Sequence, residues 1–345
     1  MNYDEFKEKI QQDLVETLCE KQVDVTVSFK DVQKLQQESY EGIIVRQKDS
    51  ATGLTFNFDR FYEHYENGMS YAECLNEIST LVTDNIQDIP QLSGEMFHDY
   101  EKLRPLLNLQ VVSTETNAEM LRDIPHQEME DLSVVYRFVL QSDEQGTQSI
   151  LITNHLLDVY GITAEQLHND ALKAAPINSP IEIAGMNEVI KEIMGTVTLD
   201  DLEIPKEEVM YVASNPSKSM GAGIIAYHEF MDTASEKVKG DFYMIPSSLH
   251  EVLLVPDDGK MSRENLEEML KDVNDTQVLP EERLSYNVYH YDSKEKIFEI
   301  AKKYEDRQQE VKFGKETSVL ENLGQMKQEC AARMPRPVMQ EAFER

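Results

Sequence analysis

Asp241-Phe-Tyr-Met-Ile-Pro-Ser-Ser-Leu-His-Glu-Val-Leu-Leu-Val-Pro256 holds two short apolar runs parted by a polar break. Phe242–Ile245 and Val252–Val255 are each bounded by Pro, Gly or Asp and read as buried strands. Pro246-Ser-Ser248 ends the first run and turns the chain, because serine hydroxyls serve backbone groups that the turn leaves free. The two runs are predicted to be neighbours in one core sheet, with the polar break at the sheet's end.

Working outward, Asn2 and Glu5 form a capping-box pattern, and Phe6, Ile10, Leu14 and Leu18 follow at helical spacing. Val23, Val25, Val27 and Phe29 alternate with polar residues, the period of a half-buried strand. Further strand-like runs lie at Gly42–Arg46 and Gly53–Phe58, a short helix at Asp59–Glu66, and a helix capped by Ser70 and Glu73 runs to about Gln87. Asp88–Gly94 reads as the linker out of this first unit.

Beyond it, Leu106–Val112 and Leu132–Leu140 read as strands, the latter joined to Thr147–Thr153 by a hairpin loop at Ser142–Gly146. Thr116 with Glu119, Asn154, and Thr163 with Gln166 are read as helix caps. Val209–Ala213 and Gly223–Tyr227 read as strands around the turn-rich Asn215–Ala222, and a helix follows from about His228 to Lys239. Leu266, Met269, Leu270 and Val273 mark an amphipathic helix, and Ser285–Tyr291 a last strand. Lys294–Gln309 reads as helical, Glu316–Cys330 more weakly so, and Met334–Pro337 breaks what precedes it.

Hairpins outnumber βαβ units, so the fold class is α+β, a mainly antiparallel mixed sheet with flanking helices. A small N-terminal α/β unit is expected at 1–90, the core domain at 91–292, and a helical or partly disordered tail at 293–345.

The net charge of −32 is the main oddity of composition. Residues 293–345 carry 11 Lys/Arg and 10 Asp/Glu, so the acidity belongs to the residues before them. A basic face for nucleic acid or anionic membrane is disfavoured, because phosphate contacts need clustered cations. A folded protein of this mass exposes ~14,000 Å², or ~450 Å² per net charge, several-fold more dilute than a duplex with one charge per ~1.7 Å of axis. No apolar run is long enough to span a bilayer. The acidic, amphipathic start Met1–Lys7 is unlike a signal peptide, and three scattered cysteines suit a reducing compartment. A cytoplasmic location is expected.

Ser247, Ser248, His250 and Glu251 form the one local grouping of nucleophile, base and acid. If a strand resumes at Leu249, Ser248 and His250 share a face and Glu251 points the other way. A hydrolase would also need an orienting carboxylate, with Asp257 and Asp258 nearest in sequence, and an oxyanion hole. Gly-x-Ser-x-Gly is absent, and a turn that satisfies backbone groups accounts for the serines without chemistry. None of the eight histidines has compact ligand spacing. His126-Gln-Glu128 lacks the P-C-x-x-C partner of a zinc deaminase. Ser219–Gly223 precedes a strand-like run, whereas a phosphate loop opens a helix. The acidic 257–282 segment lacks the EF-hand order and reads as a solvated helix face. No metal and no cofactor is expected.

Three segments together, Asp123–Tyr136, Ile152–Leu167 and Ile245–Pro256, resemble a bacterial domain-of-unknown-function family of gut anaerobes, often near mobile elements. The resemblance covers about residues 1–292 and departs at Tyr160, where tryptophan is common. It implies a bacterial cytoplasmic protein and carries over no catalytic residue. The leading expectation is a non-enzymatic accessory or interaction protein with a protein partner, acting through its acidic surface or its tail. A hydrolase using Ser248 and His250, and a DNA mimic directed at a nucleic-acid-binding protein, are the alternatives.

Overall fold

Asn2 and Ser70 start the two long helices of the N-terminal unit by the same device. In a computed structural model, which describes residues 1–37, 39–48, 50, 53–86, 99–143, 146–194 and 207–310, both capping boxes close reciprocally with Glu5 and Glu73. Helix α1 (Tyr3–Glu20) buries Phe6, Ile10, Leu14 and Leu18 completely, each contributing about 1.5–3 kcal/mol. Strands β1 (Val25–Val32), β2 (Tyr40–Gln47) and β3 (Gly53–Asn57) form an antiparallel sheet in that order. Helices α2 (Phe58–Glu66) and α3 (Tyr71–Asn85) cover it with Phe58, Phe61, Cys74, Ile78 and Val82. These residues and the α1 stripe form one core within the first 86 residues.

The rest of the chain runs α4 (Tyr100–Leu103), β4 (Leu107–Ser113), β5 (His126–Met129), β6 (Leu132–Asp143), β7 (Gly146–Leu151), α5 (Asn154–Tyr160) and α6 (Ala164–Asn178). It continues through β8 (Glu182–Gly185), α7 (Met186–Met194), β9 (Tyr211–Ser214), α8 (Phe230–Val238), β10 (Phe242–Ile245) and β11 (Val252–Pro256). Helix α9 (Arg263–Thr276), β12 (Tyr289–Asp292) and β13 (Ile297–Ile300) follow, and 301–310 are helical. One sheet joins β4, β6 and β5 in that order, with β7 also on β6; the other has the order β13-β12-β10-β11-β9-β8. Every strand pair is antiparallel. The fold is α+β.

Strands β10 and β11 pair side by side, Phe242 opposite Pro256 and Ile245 opposite Leu253. Phe242 and Met244 enter the main core with Leu109, Val134, Tyr136 and Phe138 of the other sheet and Phe230 of α8. Tyr243 and Ile245 point the opposite way, against Leu266 and Leu270 of α9. Both faces are therefore buried, and the apolar run has no need to alternate.

Two segments differ from expectation. Gly223–Tyr227 is no strand: residues Gly221–Ala226 form a 3-10 helix. Gly223 lies so close to the Leu109 carbonyl of β4 that an added Cβ would collide with it, and the tight helix makes that approach. Lys294–Gln309 is helical only from residue 301. The Asp292 side chain accepts the N–H groups of Lys294 and Glu295 (3.1 and 3.0 Å), Lys296 takes φ +58°, and the turn returns as β13 along β12. The sheet thus extends past residue 292 to Ile300.

Smaller differences are local. Thr116 and Glu119 lie in the turns that lead into a 3-10 helix at Met120–Arg122, where no side chain caps the start, and Thr153 caps α5 in place of Asn154. The expected linker at 88–94 and the tail beyond residue 310 lie outside the described residues.

The N-terminal unit docks on the core through the tip of its β1–β2 hairpin. Leu35 packs on Val112, Leu121, Ile124 and Val135. Gln36 is 4% exposed. Its Oε1 accepts the Ser113 N–H (2.7 Å), its Nε2 donates to the carbonyls of Glu281 (3.1 Å) and Arg283 (2.8 Å), and its own N–H donates to Asn117 Oδ1 (2.6 Å). Its backbone is left-handed, φ +62°.

Candidate functional site

The polar break between β10 and β11 is folded by its own hydrogen bonds. The Ser247 N–H donates to the Ile245 carbonyl (2.9 Å), and the Ser248 N–H to the Glu251 carbonyl (3.2 Å). Ser248 Oγ accepts the backbone N–H of His250 (3.0 Å), a local serine turn. Its hydroxyl is thus held against the histidine's main chain, and no hydrogen bond joins it to the imidazole. Ser248 is buried.

The His250 ring is held at both nitrogens. Nδ1 accepts the Met220 N–H (3.3 Å), and because that group only donates, the ring proton sits on Nε2, facing Glu282 Oε1 at 3.3 Å. Glu251 supplies its carbonyl to the turn, and its carboxylate makes no hydrogen bond among the described residues. Asp257 accepts from His290 Nε2 (3.1 Å), and Asp258 pairs with Lys260 (2.9 Å). The structure therefore brings Ser248, His250 and Glu251 into one turn, and sets the two aspartates on other partners.

Loop 214–222 clamps the break from the other side. Ser214 Oγ donates to the His250 carbonyl (2.6 Å), and the Ala222 N–H to that of Leu249 (3.1 Å). A Cβ on Gly221 would collide with Ser214 Oγ and the His250 carbonyl, so the close approach requires glycine. Lys218 and Met220 adopt φ of +50° and +51°, a conformation that costs about 1–2 kcal/mol for a residue with a side chain.

Behind this loop is a cavity of about 190 Å³ whose lining includes Asn108, Thr147, Ser179, Asn215 and Ser219. Its wall is neutral and hydrogen-bonded. Asn108 Nδ2 donates to Ser179 Oγ (2.7 Å), Asn215 Nδ2 to the Ser219 carbonyl (3.0 Å), and Ser217 Oγ to Asn215 Oδ1 (3.1 Å).

A larger cleft, about 1380 Å³, separates the N-terminal unit from the core. The hairpin tip, Arg60 and His64 of α2 and Glu77 of α3 line one side, and Thr116–Met120 in part with Pro280 and Glu281 the other. Lys34 lies over the Tyr40 ring at 5.3 Å, and His64 faces Glu77 at 3.4 Å. The Arg60 side chain makes no ion pair among the described residues.

Residues 3–293 match the model of a family described as Family of unknown function (DUF5688). The chain belongs to this family. All three segments that carry the resemblance lie inside the matched range. No curated protein matches the chain, and no solved structure does.

In this DUF5688 chain, no helix among the described residues is long and apolar enough to cross a membrane. No group of three or more His, Cys, Asp or Glu among them could hold a metal ion. Sequence reasoning missed Gln36, Glu282 and the Asn108–Ser179–Asn215 wall. The partners of Gln36, Glu282 and Asn108 lie far along the chain, where local pattern gives no signal, whereas Asn215 also bonds Ser217 and Ser219 within its own turn. The adjacent turn residues of 215–221 were visible, but the cavity behind them was not.

Proposed function

We propose that the protein is a non-enzymatic interaction protein of a bacterial cytoplasm. It holds a segment of a partner protein in the cleft between its N-terminal unit and its core. The cleft carries this reading: at about 1380 Å³ it exceeds the ~300–1,000 Å³ of small-molecule sites and suits a stretch of polypeptide. Glu63, Glu77, Glu119 and Glu281 on its walls outnumber Lys34 and Arg60, which favours a segment bearing Lys or Arg. The charge of −32 works in the same direction, speeding encounter with a basic partner and opposing nucleic acid and anionic membrane. The turn at Ser248 supports a non-hydrolytic role, since the hydroxyl and both ring nitrogens of His250 are occupied by structural partners.

The test is affinity capture from a bacterial lysate at low and raised salt, comparing wild type with a Glu119→Lys, Glu281→Lys double variant. Wild type should retain a basic partner at low salt, and the double variant should lose most of it. Equal recovery by both proteins, or no partner at either salt, refutes the reading.

A further inference from the structure

Ser179, just past the end of α6, lines the neutral cavity with a hydroxyl proton to spare. Its Oγ accepts from Asn108 Nδ2 (2.7 Å) and from Asn215 Nδ2 (3.5 Å). Amide N–H groups only donate, so both lone pairs of the hydroxyl are engaged and its own proton remains. No group among the described residues accepts that proton, although Ser179 is only 7% exposed. Ser219, also in the lining, stands similarly: its Oγ accepts from Thr147 Oγ1 (3.0 Å) and donates to no described residue. Buried polar hydrogens are seldom left unpaired, and the space beside Ser179 is the cavity.

The other polar groups of the buried wall are already committed. Asn215 Nδ2 donates to the Ser219 carbonyl as well as to Ser179, and Asn215 Oδ1 accepts from Ser217 Oγ. Asn108 Oδ1 accepts the Leu109 N–H (2.9 Å). The unused capacity of the serine hydroxyls is donor capacity, which calls for an acceptor oxygen. No charged residue lines the cavity, so an ion of either sign would shed its water there without a counter-charge, at a high cost. Val139, Pro216 and Met220 supply the apolar part of the lining. Asn178, Pro216 and Ser217 are exposed and form its mouth, whereas Asn108, Ser179 and Asn215 are buried.

We propose that this chamber binds a small neutral carbonyl compound, a ketone, aldehyde or amide. Its oxygen accepts the Ser179 hydroxyl proton, and its alkyl part lies in the apolar lining. A few well-placed polar groups on a partly apolar wall are the usual means of orienting a small ligand. A volume of about 190 Å³ corresponds to ~6 waters at ~30 Å³ each, which limits the ligand to a few carbon atoms. The chamber shares no lining residue with the cleft, so this assignment and the partner-binding reading stand or fall separately.

Acetone is the probe, with acetate and acetamidinium as charged ions of the same shape. Binding to the full chain is followed by saturation-transfer NMR of the ligand at constant ionic strength, with concentrations running into the millimolar range that so small a ligand requires. Wild type should bind acetone saturably, and both ions at least tenfold more weakly. Ser179→Ala removes the donor and should weaken acetone about three- to tenfold. Val139→Phe fills the chamber while leaving the serines in place, and should abolish binding; it carries the test if the alanine variant does not fold. The proposal is overturned if acetone shows no saturable binding, which would leave a chamber that holds water alone, or if either ion binds as tightly as acetone. Unchanged acetone affinity in either folded variant overturns it too.

Discussion

Replacing Gln36 with alanine should loosen the N-terminal unit from the core by about 3 kcal/mol. The side chain makes one bond to the Ser113 N–H and two to the carbonyls of Glu281 and Arg283, at 2.7, 3.1 and 2.8 Å. Each is a neutral bond with a net value of about 1 kcal/mol, and Gln36 is almost fully enclosed, so the loss strands partners that water reaches poorly. Alanine inherits the left-handed backbone. Gln36→Gly removes that strain, and should recover about 1 kcal/mol of the loss. Gln36→Glu is nearly isosteric and turns an oxygen onto two carbonyls, so its effect should match or exceed alanine's. Urea unfolding followed by circular dichroism and tyrosine fluorescence is the assay, since the chain has no tryptophan. The N-terminal unit has its own core, so a separate early transition should accompany the loss. A single transition with an unchanged midpoint in Gln36→Ala would refute this account of docking.

Val252 is fully buried in β11, and Val252→Ala should lower stability by about 1.5–2.5 kcal/mol through lost burial and the cavity left behind; an unchanged melting midpoint would remove this strand from the core. Gly221→Ala drives a methyl into the His250 carbonyl and Ser214 Oγ, and should cost about 2 kcal/mol or more, read by the same melt; a neutral result would show the loop free to retreat. Burial, and then His228, hold the His168 imidazole below its ordinary 6.5, with Tyr136 Oη 2.9 Å from its Nδ1. The depressed value means that its contribution is intact above pH 6.5 and is lost as pH falls through the folded value. His168→Gln should therefore lose less stability than wild type between pH 7.5 and about 5, and identical pH profiles would refute the assignment.

The readable parts of the chain were those whose signal is local. Asn2 with Glu5, and Ser70 with Glu73, act within one helical turn, and both close in the structure. The adjacency of β10 and β11 followed from two apolar runs with only six residues between them. Gly223–Tyr227 reads as a strand, yet Gly223 serves a close approach to Leu109, over a hundred residues earlier. Ile297–Ile300 reads as part of a helix because its start is set by the Asp292 side chain and the left-handed Lys296, neither of which alters hydrophobic period. The site was less legible. Ser248 and His250 were visible as a cluster, but the use of their atoms depends on Met220 and Glu282, and nothing in a one-dimensional pattern brings those together.

The two carbonyls that hold Gln36 belong to residues 245 and 247 positions further along the chain. On a ribosome adding about 5–20 residues per second, the N-terminal unit, finished by residue 86, is complete ~10–40 s before the last of its anchorage exists. For that interval Gln36 Nε2 lacks both of its acceptors, although the bonds of Gln36 to Ser113 and Asn117 and the Leu35 contacts can form once residue 135 is made. The unit's own core, finished by residue 86, keeps the rest of it folded through the wait. The docking of the hairpin tip is consequently completed late in the protein's synthesis, and a chain that stops short of Arg283 would keep only its contacts on residues 112–135.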